Sequence, residues 1–301
     1  MATTSPPANR PHGHVSDCIL RLEGPDAILF LQGQTTSDFQ KAEVGDHLYA
    51  AFCNPKGRVL ADVLAVVTAR DTIFLRGRCE VMAQLAAHLK PYLAFSKATL
   101  ATTEWTITCT LDESSQHTDP GQVQVLTDDG ELTSVIINRG DGFTEYWQHG
   151  ASAVAHDREN RVPLAQVDFE QARARVETTT AGAYLPQDLN YDLNETVSFA
   201  KGCYTGQEIV ARLHYRGTPK RRLYRATAQG TARQLVPGDG ITNAEGQRVG
   251  SLVNILAMDN QLGLLIEVIP GSASEPLLIF GGDIALSSLE ACHSLADQST
   301  G

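Results

Sequence analysis

The segment KGCYTGQEIVARLHYRG, Lys201–Gly217, holds the residues of this chain best suited to chemistry. Cys203 follows Gly202, with Lys201 two residues before it and Gly206 three residues after. The glycines permit backbone shapes closed to other residues. Ile209, Val210 and Leu213 recur at helical spacing, so a helix is expected to begin near Gly206. Its free N–H groups and positive dipole end would face the loop. That field and the Lys201 charge both favour the thiolate of Cys203. A thiolate there would attack an electrophile, exchange with a disulfide or bind a metal transiently. The competing reading is a small cysteine filling a gap beside glycines. Gln207 and Glu208 either contact a ligand or cap the helix start. Arg212, one turn after Glu208, is either its i,i+4 partner or an anion contact.

These residues lie in an unusual charge setting. The 301-residue chain carries a net charge of −11, which argues against non-specific coating of nucleic acid. Yet Lys201, Arg212, Arg216, Lys220, Arg221, Arg222 and Arg225 face a single acid, Glu208, within residues 201–225. Such a strip suits an anionic ligand or partner, or a charge-blunted strand edge. The six cysteines include no C-x-x-C pair and the histidines are scattered, so no zinc or iron–sulfur ligand set and no disulfide framework is expected. The first residues lack an apolar leader, and no run of about 18 apolar residues occurs. A soluble, cytoplasmic protein without membrane attachment is expected.

The elements that must position the loop read as follows. Ile19–Leu22 is a short strand, and a helix runs from Pro25 towards Gly33. HLYAAFCNPKGRVLADVLAVV gives two strands joined by a turn at Asn54–Gly57. DTIFLRG is a strand, and CEVMAQLAAHLKPYL is a helix ending at Pro91. Two further strand regions flank a polar loop, and residues 162–181 read as largely helical with Glu170 near the centre. After Gly217, short strands with Gly-rich turns suggest a small antiparallel barrel or sandwich. The class is α+β rather than a doubly wound sheet.

Three segments, FLQGQTTSDF (Phe30–Phe39), CNPKGRVLADV (Cys53–Val63) and KGCYTGQEIVAR (Lys201–Arg212), together resemble the YgfZ family of folate-binding proteins of iron–sulfur cluster maintenance. That family shares the fold of the glycine-cleavage T-protein, an aminomethyltransferase. The resemblance implies three domains around a tetrahydrofolate site: a central domain of residues 15–104 and 162–217, a second α+β domain of 105–161 and a β-barrel of 218–292. A disordered tail of 1–14 and a C-terminal tail of 293–301 complete the expectation. It implies Cys203 as the signature residue, with Lys201 as its partner in chemistry. Glu170, Lys201, Tyr204, Gln207, Arg212, Asn54 and Asp62 are the implied folate contacts. Glu170 would hold the pterin ring by paired N–H bonds, unless it is an exposed helix glutamate paired with Arg173.

The chain departs from the pattern in three places. Laid on the family by the shared Asn and Gly, the T-protein's catalytic aspartate falls on Ala61 and its neighbour on Asp62. A methyl group cannot orient or neutralise a reacting folate nitrogen, so classical aminomethyl transfer is not expected. The usual Gly-x-Pro after the glutamate is replaced by Ala172, Arg173 and Ala174. Asp17 and Leu164 stand near the places of tryptophans common around the folate cavity, which would weaken stacking and folate affinity. The leading expectation is a monomeric accessory protein for iron–sulfur cluster assembly or repair that binds tetrahydrofolate, holds no stable metal and meets client or carrier proteins. A folate-dependent transferase, and a module binding RNA or an acidic protein through strip 201–225, are the alternatives. Tetrahydrofolate and tRNA modification enter through the resemblance alone.

Overall fold

In the computed structural model, which describes residues 16–112, 121–149, 160–230, 235–259, 261–279 and 284–292, Asp17–Glu23 forms β1 at the inner part of a five-stranded antiparallel sheet. Its partners are β2 (His47–Cys53), β3 (Val59–Ala69), β4 (Thr72–Arg78) and β5 (Thr99–Thr102), in the order β2-β3-β4-β1-β5. Helices α1 (Ala27–Gln34) and α2 (Cys79–Leu93) cover one face. The apolar spacing of α2 buries Val81, Met82, Leu85 and Leu89 as the sequence pattern requires. Pro91 lies inside the last turn instead of ending it, and the helix continues to Leu93.

The other face of this sheet packs on a second one. Strands β6 (Thr106–Leu111), β7 (Val123–Asp128), β8 (Glu131–Gly140) and β9 (Phe143–Gln148) run in the order β6-β9-β8-β7. Ile19, Leu64, Val66 and Phe74 from the first sheet meet Val135, Ile137 and Trp147 from the second. Each contributes roughly 1.5–3 kcal/mol when withdrawn fully from water, so this shared layer holds the sheets together. Both faces of β3 are therefore buried, Ala61, Val63, Ala65 and Val67 under the helices and Leu64 and Val66 against the second sheet.

Helix α3 spans only Leu164–Glu170, where the sequence suggested a helix through residue 181. Ala172 takes a left-handed backbone with φ +49°, and the N–H of Arg173 folds back to the Asp168 carbonyl at 2.7 Å. That turn stops the helix with Glu170 as its last residue, and the chain continues in turns and a short 3-10 segment, Pro186–Leu189. Helix α4 spans Gln207–Arg216. The remaining strands, β10 (Arg222–Ala228), β11 (Gly240–Thr242), β12 (Arg248–Ala257), β13 (Leu262–Val268), β14 (Leu278–Ile279) and β15 (Ile284–Ala291), close into a barrel in the order β10-β13-β12-β11-β14-β15. Closure leaves no open edge. Phe169, Leu189, Tyr191 and Val210 pack between Ala51, Cys53 and Val59 of the first sheet and Leu223, Val253 and Leu265 of the barrel. The expected tails, 1–14 and 293–301, lie outside the described residues.

Candidate functional site

The loop before α4 is clasped from within. Lys201 is buried, and its ammonium donates to the carbonyls of Gln32 at 2.8 Å, Thr35 at 2.6 Å and Ser37 at 2.7 Å. These carbonyls lie in and just beyond the last turn of α1, where helix geometry leaves acceptors unpaired and a cation is favourable. Burial lowers the Lys201 ammonium from its usual 10.5 to about 8. The Tyr204 ring, also buried, sits 5.0 Å from the ammonium. At the other end of the loop, Gly206 has φ +86°, and a Cβ there would stand 2.4 Å from the Asn54 carbonyl oxygen. Asn54 in turn builds its own turn. Its side-chain oxygen accepts from the N–H of Lys56 at 2.9 Å and of Arg58 at 3.1 Å. The three sequence segments that carry the resemblance thus meet on one loop.

Cys203 rides on that loop, exposed, with α4 starting four residues later. It is the exposed member of the six cysteines; Cys53 and Cys109 are buried, and Cys18, Cys79 and Cys292 are partly so. Burial pushes the thiols of Cys18, Cys53, Cys109 and Cys292 up to about 12.

A second feature lies where both sheets and the barrel converge. A cleft of about 920 Å³ is walled by Trp105, Ile107, Leu164 and Phe169, with Leu256 and Leu265 from the barrel. Its floor is ionic. Asp17 receives Arg76 at 2.6 Å, Arg78 at 3.1 Å and Arg175 at 3.3 Å. Arg175 also pairs with Asp168 at 3.3 Å and with Asp62, and Arg139 joins Asp168 to Glu145. Burial alone would raise the carboxyls of Asp17 and Asp168, but the surrounding guanidinium groups hold both below their ordinary range. Glu177 stands at the edge of this network. Its Oε1 lies 3.3 Å from Arg78 Nε and accepts from Asn254 at 3.3 Å, while its Oε2 has no partner among the described residues. Burial raises the Glu177 carboxyl.

No protein-family model matches the chain. It is 26% identical over 281 residues to the tRNA-modifying protein YgfZ of Klebsiella pneumoniae, covering 86% of this chain and 84% of that protein. It is 29% identical over 224 residues to the tRNA-modifying protein YgfZ of Serratia proteamaculans, 68% of this chain and 67% of that one. An uncharacterized protein of Haemophilus influenzae is 24% identical over 290 residues, 93% and 96% of the two chains. Among solved structures, the glycine cleavage system aminomethyltransferase T of Bartonella henselae has the same fold, with a TM-score of 0.66 over 94% of this chain and 84% of that chain at 17% identity. Over two thirds of its length or more, the chain is similar to proteins of the YgfZ family.

In this protein the residues expected at one folate site are divided. None of Glu170, Lys201, Asn54, Tyr204, Gln207 and Arg212 lines the large cleft. Glu170 ends α3 on its exposed side and pairs with Arg225 of the barrel at 3.9 Å. The carboxylates lining the cleft are Asp17, Glu80, Asp168 and Glu177. Lys201 spends its three N–H donors on backbone carbonyls, so its contact is with the protein and the expected ligand or catalytic contact does not form. Asp62 is buried rather than solvent-facing, with one oxygen on Arg175 and the other accepting the Val176 N–H at 2.6 Å. Ala61 points into the apolar layer under the helices, so position 62 is the one that faces the ionic network on the other side of β3. Both Asp62 oxygens are thus engaged by the protein itself.

Gln207 and Glu208 give α4 no side-chain cap, and Arg212 is exposed. The basic strip is largely neutralised: Lys201 is buried, Arg222 pairs with Asp192 at 2.6 Å, Arg221 with Glu267 at 3.2 Å and Arg225 with Glu170. Arg212, Arg216 and Lys220 remain at the surface as the exposed cations of the strip. Aromatic surface in the cleft, expected to be missing, is supplied by Trp105 and Phe169.

Proposed function

We propose that this protein binds tetrahydrofolate or a derivative in the 920 Å³ cleft and supports iron–sulfur cluster assembly or repair through Cys203 at a separate surface loop. The observation that carries the reading is the pairing of an exposed thiol with a loop over-determined by Lys201, Gly206 and the Asn54 turn. A packing cysteine has no need of exposure, and a loop with no task has no need of a buried ammonium. The residues of the cleft fit a folate. Trp105 and Phe169 offer faces for a flat ring, Glu177 offers a free carboxylate oxygen to pterin N–H groups, and Arg161 at the lining suits the glutamate carboxylates. Bound tetrahydrofolate supplies one-carbon chemistry at its reduced pterin. Because Cys203 does not line that cleft, its thiol is left to act on a partner at the surface, by disulfide exchange or transient iron binding on a client or carrier protein. The relatives' name, tRNA-modifying protein, supports tRNA modification as the process in which such a client works.

The test has two arms. Limiting iodoacetamide with mass spectrometry should label Cys203 first among the six cysteines, and Cys203→Ser should keep folded protein and folate binding while abolishing support of iron–sulfur enzyme activity in cells. Glu177→Gln should weaken tetrahydrofolate binding tenfold or more, as loss of a charged hydrogen-bond acceptor does. A Cys203 that stays unlabelled until denaturation, or a Cys203→Ser protein with full activity in cells, would overturn the role of the thiol. Unchanged folate affinity in Glu177→Gln would remove the cleft assignment.

A further inference from the structure

A second pocket, of about 450 Å³, shares no lining residue with the large cleft. It opens between Tyr49 of β2, Arg139 of β8, the Ser198 region and Arg173. The turn at Ala172 is what delivers Arg173 here. It sends the side chain away from Glu170, the partner expected from helical spacing, and lays the guanidinium 3.4 Å over the centre of the Tyr49 ring. Among the described residues no carboxylate lies within ion-pair distance of it. The other groups at the pocket leave it so. Arg139 is committed to Glu145, Asp168 and Gln171. Asp38 is held by Lys41 at 3.2 Å and by Gln32 at 3.0 Å, and Glu195 is exposed. His47 stands edge-on to Tyr49, with ring centres 5.8 Å apart.

A cation largely withdrawn from water is ordinarily paired, because desolvation is only recovered by a counter-charge. Burial does lower the Arg173 guanidinium from its usual value, with Arg139 nearby adding to the strain. Tyr49 offers a π face, a weaker partner than an anion. The pocket also has the size of a small-ligand site rather than a packing gap. We infer that this pocket binds a compact oxyanion, the phosphate or carboxylate group of a small ligand, on the free edge of the Arg173 guanidinium beside Arg139.

The experiment is equilibrium titration of the full chain with inorganic phosphate and, separately, with glutarate, followed by calorimetry and by the shift in melting temperature. One or both should bind, and the one that binds names the group. Arg173→Gln should weaken that binding tenfold or more and erase the melting shift, the consequence of losing a charge-assisted pair. Arg212→Gln, an exposed arginine elsewhere, should change neither. Among the described residues Arg173 has no ion pair to lose, so Arg173→Gln should fold; should it not, Arg173→Lys keeps the charge without the planar fork and should bind the anion with reduced affinity. If Arg173 serves only to stack on Tyr49, neither anion will saturate the protein at about 20 mM, or both will bind Arg173→Gln as well as wild type, and the assignment fails.

Discussion

Replacing Lys201 with methionine separates a clasp from a ligand contact. The ammonium gives three hydrogen bonds of 2.6–2.8 Å to carbonyl oxygens, each worth about 1.5–3 kcal/mol as a bond to a charged group. Together they supply roughly 4.5–9 kcal/mol. Against this stands the penalty of burying the ammonium, which lowers it from 10.5 to about 8 and corresponds to roughly 3 kcal/mol. The net contribution is then about 3 kcal/mol, near the middle of the resulting range. Lys201→Met fits the same space but leaves those three acceptors unanswered. Urea unfolding followed by circular dichroism should show a midpoint lowered by the equivalent of about 3 kcal/mol at unchanged slope. Folate affinity measured well below that midpoint should stay at the wild-type value. A variant with wild-type stability and lost folate binding would refute the clasp and return Lys201 to a ligand site.

Two further outcomes follow from single residues. Ala172 holds φ +49°, a conformation that costs a side chain with a Cβ about 1 kcal/mol, so Ala172→Gly should raise the melting temperature by a few degrees. Glu267, buried beside Ser251 and Arg221, has its carboxyl raised by burial to about 7. Its folded value exceeds the unfolded one, so its contribution is fully present below about pH 4.5 and is lost as the pH rises through 7. Glu267→Gln should flatten the dependence of stability on pH between 4.5 and 7, and a slope unchanged in that window would show that Glu267 titrates normally.

Much of the framework can be read from the residues. The turn at Asn54–Gly57, the α2 face, the start of α4 after Gly206 and the closing barrel all follow from local chemistry, because glycine, proline and apolar period act over a few residues. What failed depended on which way a face looks. Residues 61 and 62 must point to opposite sides of β3, but both sides are buried, so no polar–apolar alternation says which one meets the helices. Glu170 was misplaced because α3 stops at that residue, and the cleft instead receives Asp168 from inside the helix and Glu177 from beyond the turn. The one local sign of this was the pair of arginines in QARARVE, two charges within an otherwise buried run. Lys201 looks like any loop lysine in sequence. Only the fold brings the end of α1 across to it, from 164–169 positions away along the chain.

The ionic floor of the cleft has a consequence for how the chain can be made. Asp17, Asp62, Arg76, Arg78, Arg139, Glu145, Asp168 and Arg175 come from both sheets and from the stretch after them. A chain interrupted before residue 168 would already have buried Arg76 and Arg139 against only part of their counter-charge, and an arginine sealed in without its partners is worse than none. Closure of the first two sheets before Asp168 and Arg175 emerge would leave Arg76 and Arg139 with only Asp17 and Glu145 as counter-charges. Expressed alone, residues 16–149 would present a charged seam that neither water nor protein satisfies, the kind of fragment that chaperones and proteases recognise. The protein is three sheets in outline but a single unit of biosynthesis.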